Sequence, residues 1–61
     1  MKVKIKSFNG SLPEYLTEGN MYKFQKIKEY CGLITVDNGL EYFTYIKGSC
    51  HLNGGDWEVV E

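Results

Sequence analysis

The chain has no arginine, one proline, one histidine and two cysteines among its 61 residues, and nowhere a long apolar run. Each shortage excludes something. Without arginine there is no planar, bidentate donor of the kind that reads phosphates and guanine edges, and a net charge of −1 gives no global attraction to nucleic acid. Cys31 and Cys50 form one disulfide at most, too few for a disulfide framework. Structural zinc takes four ligands, usually as closely spaced pairs. Here only Cys31, Cys50 and His51 are offered, and Cys31 is nineteen residues from Cys50. The opening Met1-Lys2-Val3-Lys4-Ile5-Lys6 alternates charge with aliphatic residues, which is no signal peptide, and no run approaches a membrane span. The expectation is a cytoplasmic protein with reduced thiols, no membrane contact, no metal and no other cofactor.

Aromatic residues are what the chain does have: five Tyr, three Phe and one Trp, 15% of the total. Sixty-one residues make one domain, residues 1–61, and a chain this short buries only about 60% of its unfolded surface. Rings burying roughly 150–250 Å² each suit such a thin core. Charge is unevenly spread. Residues 1–30 hold Lys2, Lys4, Lys6, Lys23, Lys26 and Lys28 against Glu14, Glu18 and Glu29, net +3. Residues 31–61 hold Lys47 against Asp37, Glu41, Asp56, Glu58 and Glu61, net −4.

Residues 2–8 alternate lysine with Val3 and Ile5 and end on Phe8, the period of a half-buried strand. Asn9-Gly10-Ser11 is a turn, Pro13 bars a central strand position, and residues 14–17 suit a single helical turn. After the turn at Glu18-Gly19-Asn20, Met21 to Ile27 reads as a strand with Tyr22 and Phe24 on one side and a bulge near Lys26–Ile27. A helix over Tyr22–Tyr30 is the competing reading, since Lys, Gln and Glu favour helices, but its apolar stripe is uneven. Gly32–Val36, Asp37-Asn38-Gly39 and Leu40–Ile46 form the strongest hairpin signal in the chain. Lys47-Gly48-Ser49 breaks the run, Cys50 to Gly55 reads as a loop, and Asp56–Glu61 as a last strand with Trp57 and Val59 inward. The expected core is Val3, Ile5, Tyr22, Phe24, Ile34, Val36, Phe43, Trp57 and Val59.

Five short strands joined by tight turns predict an all-β fold, a small five-stranded antiparallel SH3-like barrel, whose closure would remove exposed strand edges. Two stretches carry a resemblance. Leu16-Thr17-Glu18-Gly19-Asn20-Met21-Tyr22 resembles the Leu-Thr-x-Gly-x-x-Tyr entry into a strand found in many short accessory proteins of tailed phages and prophages. Cys50-His51-Leu52-Asn53-Gly54-Gly55-Asp56-Trp57-Glu58 is similar to the ending of the same group, and Ile34 to Leu40 fits its central hairpin. The likeness covers residues 12–61, and the His-Leu-Asn-Gly-Gly-x-Trp-Glu ending is its more specific part. It implies an SH3-like barrel and a phage origin. It implies no activity and supplies no functional residues.

The residues themselves offer few sites. Cys50 and His51 could pair as thiolate and base, but neighbours in extended chain point apart. The plainer expectation is a turn-bonding His51 beside a Cys50 that acts as a small buried hydrophobe. Asn53-Gly54-Gly55-Asp56 lacks the lysine and helix of a phosphate loop. No two carboxylates are isolated as an acid–base pair, and no catalytic residue is expected. Adjacent Tyr42 and Phe43 must face opposite ways on one strand, so an aromatic ring lies outside, where rings anchor protein interfaces. Tyr42 and Tyr45 are the candidate partner-binding residues, for a host or phage protein or a second copy of the chain. Nucleic acid is the alternative partner, held by a stripe of Lys2, Lys4 and Lys6 with tyrosines for base stacking. Against that alternative, the first and last strands of such barrels neighbour one another, so these lysines would face Glu58 and Glu61.

Overall fold

The computed structural model describes residues 1–61 and is all-β. Its strands are β1 (Lys2–Ile5), β2 (Met21–Lys28), β3 (Cys31–Thr35), β4 (Glu41–Tyr45) and β5 (Trp57–Val59), with a 3₁₀ turn at Cys50–Leu52. They form one antiparallel sheet in the order β4-β3-β2-β1-β5. The first and last strands are therefore neighbours, as expected. β4 and β5 are the sheet's two edges. No ladder joins them, but the Trp57 N–H donates to the Ile46 carbonyl just beyond β4 at 2.7 Å. No helix is long and apolar enough to cross a membrane.

Local chemistry explains most boundaries. The Lys6 and Ser7 N–H groups both donate to the Asp56 carbonyl, at 2.9 and 3.2 Å, so the β1–β5 ladder loses register and β1 ends before Phe8. Residues 14–17 make no helix. The Leu16 N–H instead closes a turn on the Pro13 carbonyl at 3.1 Å. The β2–β3 register slips between Lys26 and Lys28, which is the expected bulge. The hairpin turns through Asp37-Asn38-Gly39: Gly39 takes φ +84° and donates to the Val36 carbonyl, while the Val36 N–H reaches the Leu40 carbonyl at 2.9 Å. A three-residue loop with glycine in the left-handed position is a favoured hairpin closure. Gly32 answers a different need, because a β-carbon there would run into the Gln25 carbonyl and the Phe24 ring.

The core contains Val3, Ile5, Leu16, Tyr22, Phe24, Ile34, Val36, Leu52 and Trp57. Two of the expected members are outside it. Phe43 registers with Leu33, one step out of phase with the inward Ile34–Tyr42 pair, so it points away from the core and is 48% exposed. Val59 ends a three-residue edge strand with no strand beyond it and is 47% exposed. In their place the core takes Leu16 from the β1–β2 connection and Leu52 from the 3₁₀ turn. The cysteines reverse expectation in part: Cys31 is the buried thiol, and Cys50, expected inside, is exposed.

Candidate functional site: the outer face of the sheet

Alternation assigns the outer face. Ile34 is buried and pairs with Phe24 and Tyr42, so Leu33, Gln25 and Phe43, paired one step away, share the opposite side. Tyr45 follows Phe43 on that side, and Tyr30 reaches it from the β2–β3 turn. Phe43 and Tyr45 meet edge to face with centroids 5.3 Å apart, and Tyr30 lies nearly parallel to Tyr45 at 6.5 Å. Tyr45 is 47% exposed and Tyr30 59%. Tyr45 thus links Phe43 and Tyr30 into a row of half-exposed rings, with the exposed Ile27 on the neighbouring bulge.

The two tyrosines singled out from sequence part company here. Tyr45 belongs to the exposed array. Tyr42 is half-buried on the other side of β4, packed on Tyr15 at 5.0 Å and His51 at 5.5 Å. Phe43 and Tyr30 complete the array. Phe43 is one of the expected core residues, and Tyr30 lies in a turn where alternation gives no signal.

The lysine stripe meets acids. Lys4 stands opposite Glu58, and Lys2 forms an ion pair with Glu61 at 4.0 Å. Both partners of that pair are well exposed, and such pairs contribute about 0–1 kcal/mol. Lys2 also stands directly opposite Lys23, and Lys6 lies beyond the end of β1. Lys28 registers with Cys31, which registers in turn with Tyr45.

His51 guards the edge of β4. The bonds from Val36 to Leu40 and from Ile46 to Tyr30 fix which residues bond across the hairpin. Tyr42 and Thr44 direct their backbone groups to β3, whereas Glu41, Phe43 and Tyr45 direct theirs to the free edge. The Phe43 carbonyl there accepts from His51 Nε2–H at 3.0 Å. Because a carbonyl can only accept, Nε2 carries a proton, and in the neutral ring Nδ1 then accepts from the Tyr15 hydroxyl at 2.8 Å. Both ring nitrogens have partners, and neither partner is the Cys50 thiol. The Tyr45 carbonyl accepts from the Thr44 hydroxyl at 3.1 Å. That hydroxyl meets buried Ser49 Oγ at 2.7 Å, and Ser49 Oγ accepts the His51 N–H at 3.2 Å. The sequence carries no signal for this arrangement, since it depends on how the 3₁₀ turn docks.

At the far end of the hairpin the Asp37 carboxylate accepts from Thr17 Oγ1 at 2.7 Å, Tyr22 OH at 2.9 Å and Asn20 Nδ2 at 3.5 Å. These bonds, the Thr17 one foremost, hold its pKa below the usual carboxylate value against a smaller opposing effect of desolvation. Burial, aided by the neighbouring acid, raises the Tyr22 pKa, and burial likewise raises that of Tyr15. A cleft of about 630 Å³ lies beside this network, lined by Pro13, Glu14, Tyr15, Asp37 and Asn38. The lining contains neither a nucleophilic thiol or hydroxymethyl group nor an imidazole. No group of three or more His, Cys, Asp or Glu side chains converges to hold a metal ion.

Comparison with protein-family models, curated proteins and solved structures returned no match.

Proposed function

We propose that this chain is a non-enzymatic interaction module, phage-encoded and working in the host cytoplasm, that docks a host or phage protein on the outer face of β3 and β4. One observation carries the reading: Phe43, Tyr45 and Tyr30 form a contiguous, half-exposed aromatic array on a sheet face that no other part of the chain covers. Rings of this kind concentrate binding energy at protein interfaces. The face, rather than the β4 edge, is the docking surface, because His51 and Thr44 already occupy two of the edge carbonyls. The phage origin rests on the residue likeness over residues 12–61. The absence of catalysis is supported by an imidazole whose two nitrogens are engaged away from the only exposed thiol.

The test is affinity capture from bacterial lysate with tagged wild-type chain and a Phe43→Ser/Tyr45→Ser variant. A polypeptide retained by the wild type through nuclease treatment and lost by the variant is the expected result. Capture that survives the double substitution would move the docking surface elsewhere. Capture abolished by nuclease would favour the second reading, a nucleic-acid-binding barrel using Lys2, Lys4 and Lys6. That reading has in its favour that Lys2 and Lys4 share the outer face, but both have acid neighbours.

A further inference from the structure

Charge around the aromatic array is unevenly placed, and its arrangement selects a partner. Seen across the sheet, Tyr45 is followed by Cys31 and then Lys28, and Phe43 by Leu33 and then Gln25. One step along β2 from Gln25 on the same side is Lys23, itself opposite Lys2. Lys23 and Lys28 therefore bracket the β2 flank of the array. Neither forms an ion pair; the one ion pair in the chain joins Lys2 to Glu61. The acids nearest the array are Glu29, next to Lys28 in the turn, and Glu41, which shares the outer face two residues before Phe43 on the β4 side and stands opposite Thr35. Glu14, Glu18, Asp37 and Asp56 sit in the connections outside the strands, and Glu58 and Glu61 neighbour Lys4 and Lys2. Folding thus converts a gradient along the chain into a face with an apolar aromatic strip and a cationic flank.

Resting on the docking face proposed above, we infer that its occupant is an acidic polypeptide segment whose aromatic or aliphatic side chains pack on Phe43, Tyr45 and Leu33 while its carboxylates meet Lys23 and Lys28. Two features favour a polypeptide over a nucleic-acid strand. Phe43 and Tyr45 stand at 87° to each other, so at most one of the two rings can lie flat on the sheet as a surface for a base. A row of stacked bases needs successive faces turned outward, whereas side-chain packing uses ring edges equally well. The second feature is charge. A phosphate strand laid over β1 and β2 would pass Glu58 and Glu61, which already neighbour Lys4 and Lys2. Lys23 and Lys28 alone are a small footprint for phosphates but enough for two or three carboxylates. Lysine suits this role, since a mobile ammonium serves as a point charge without a fixed bonding plane.

The probes are a random glutamate–tyrosine copolymer, polyglutamate, oligothymidylate and a lysine–tyrosine copolymer, each titrated into the ¹⁵N-labelled chain. The expected result is saturable binding of the glutamate–tyrosine copolymer, with shifts centred on Leu33, Phe43, Tyr45, Lys23 and Lys28, weakening as salt rises. Polyglutamate should bind about tenfold or more weakly, having charge but no anchor. Lys23→Glu/Lys28→Glu should weaken the copolymer by about tenfold or more, as charge reversal at close pairs does. Lys4→Glu, which reverses a lysine already opposite Glu58, should change affinity far less. A dispersed amide spectrum for each variant shows that it still folds. Binding unaffected by the Lys23/Lys28 reversal, tighter binding of the lysine–tyrosine copolymer, or tighter binding of oligothymidylate on the same face would each overturn the inference. So would an absence of shifts on the face. Failure here is separable from failure of the docking face. If capture from lysate depends on Phe43 and Tyr45 but ignores the lysine reversal, the face stands and its acidic occupant falls.

Discussion

β4 shows two sides of one strand treated in opposite ways. On the inner side Tyr42 packs on Tyr15 and His51, and Thr44 is fully buried with its hydroxyl tied to Ser49 and to the Tyr45 carbonyl. On the outer side Phe43 and Tyr45 are just as suited to a strand, yet they stay about half exposed, beside each other and Tyr30. Composition cannot account for the difference, because both sides are aromatic or β-branched. What separates them is that the 3₁₀ turn and the β1–β2 connection fold over one side and leave the other. An aromatic ring on the covered side serves stability. On the bare side it is available to a partner.

That contrast can be broken first at its strongest point. Leu52, fully buried in the 3₁₀ turn, is the lid of the inner side. Leu52→Ala should destabilise the chain by about 2–5 kcal/mol in urea unfolding. For a domain of this size, whose whole stability is of that order, the variant should be substantially unfolded at ambient temperature. A loss comparable with that of an exposed leucine would mean the turn does not seal the core.

Thr44→Val keeps shape but strips the hydroxyl, leaving Ser49 without its buried partner. The expected loss is about 1–3 kcal/mol, with the unfolding slope unchanged. On the outer side Phe43→Ser should shift stability by no more than about 0.5 kcal/mol. If Phe43→Ser and Thr44→Val cost the same, the two sides of β4 are not the different environments described above.

The hairpin tip sharpens the comparison through pH. The folded-state pKa of Asp37 is lowered by its bonds to Thr17, Tyr22 and Asn20. Its contribution to stability is present above the ordinary carboxylate pKa of about 3.9 and is lost as pH falls through the lower folded value. Asp37→Asn should flatten the acid limb of stability against pH. Tyr22 and Tyr15 work in the other direction: with folded pKa values raised, their contribution is complete below about 10 and is lost as pH rises through those values. Tyr22→Phe should flatten the alkaline limb and leave the acid one carrying only what Asp37 retains from Thr17 and Asn20. Chemical denaturation across pH checks both, and an acid limb unmoved by Asp37→Asn would remove the carboxylate as the tie between the β1–β2 connection and the hairpin.

Much of this architecture is written locally. Alternation of Val3 and Ile5 with lysines, the Asp37-Asn38-Gly39 turn and the slip at Lys26 each depend on residues adjacent in sequence, where backbone sterics and period-two burial suffice to specify the outcome. Seven of the nine core residues expected from that alternation are buried: Val3, Ile5, Tyr22, Phe24, Ile34, Val36 and Trp57. Alternation shows that Tyr42 and Phe43 oppose each other but carries no sign, and one residue of register decides which is inside. Pairing of Ile34 with Tyr42 across the hairpin settled that, and with it the aromatic array. Leu16, Leu52 and His51 lie in segments with no period at all. Their burial and bonding come from contacts with residues distant in the chain, Tyr15 with His51 and Phe43 with His51 among them. The cationic flank was equally hidden. Lysine positions are plain in the sequence, but which acids neutralise them depends on β5 returning beside β1, leaving Lys23 and Lys28 unpaired next to the exposed rings. Local preference determined the strands; only long-range pairing decided which of their two faces looks outward.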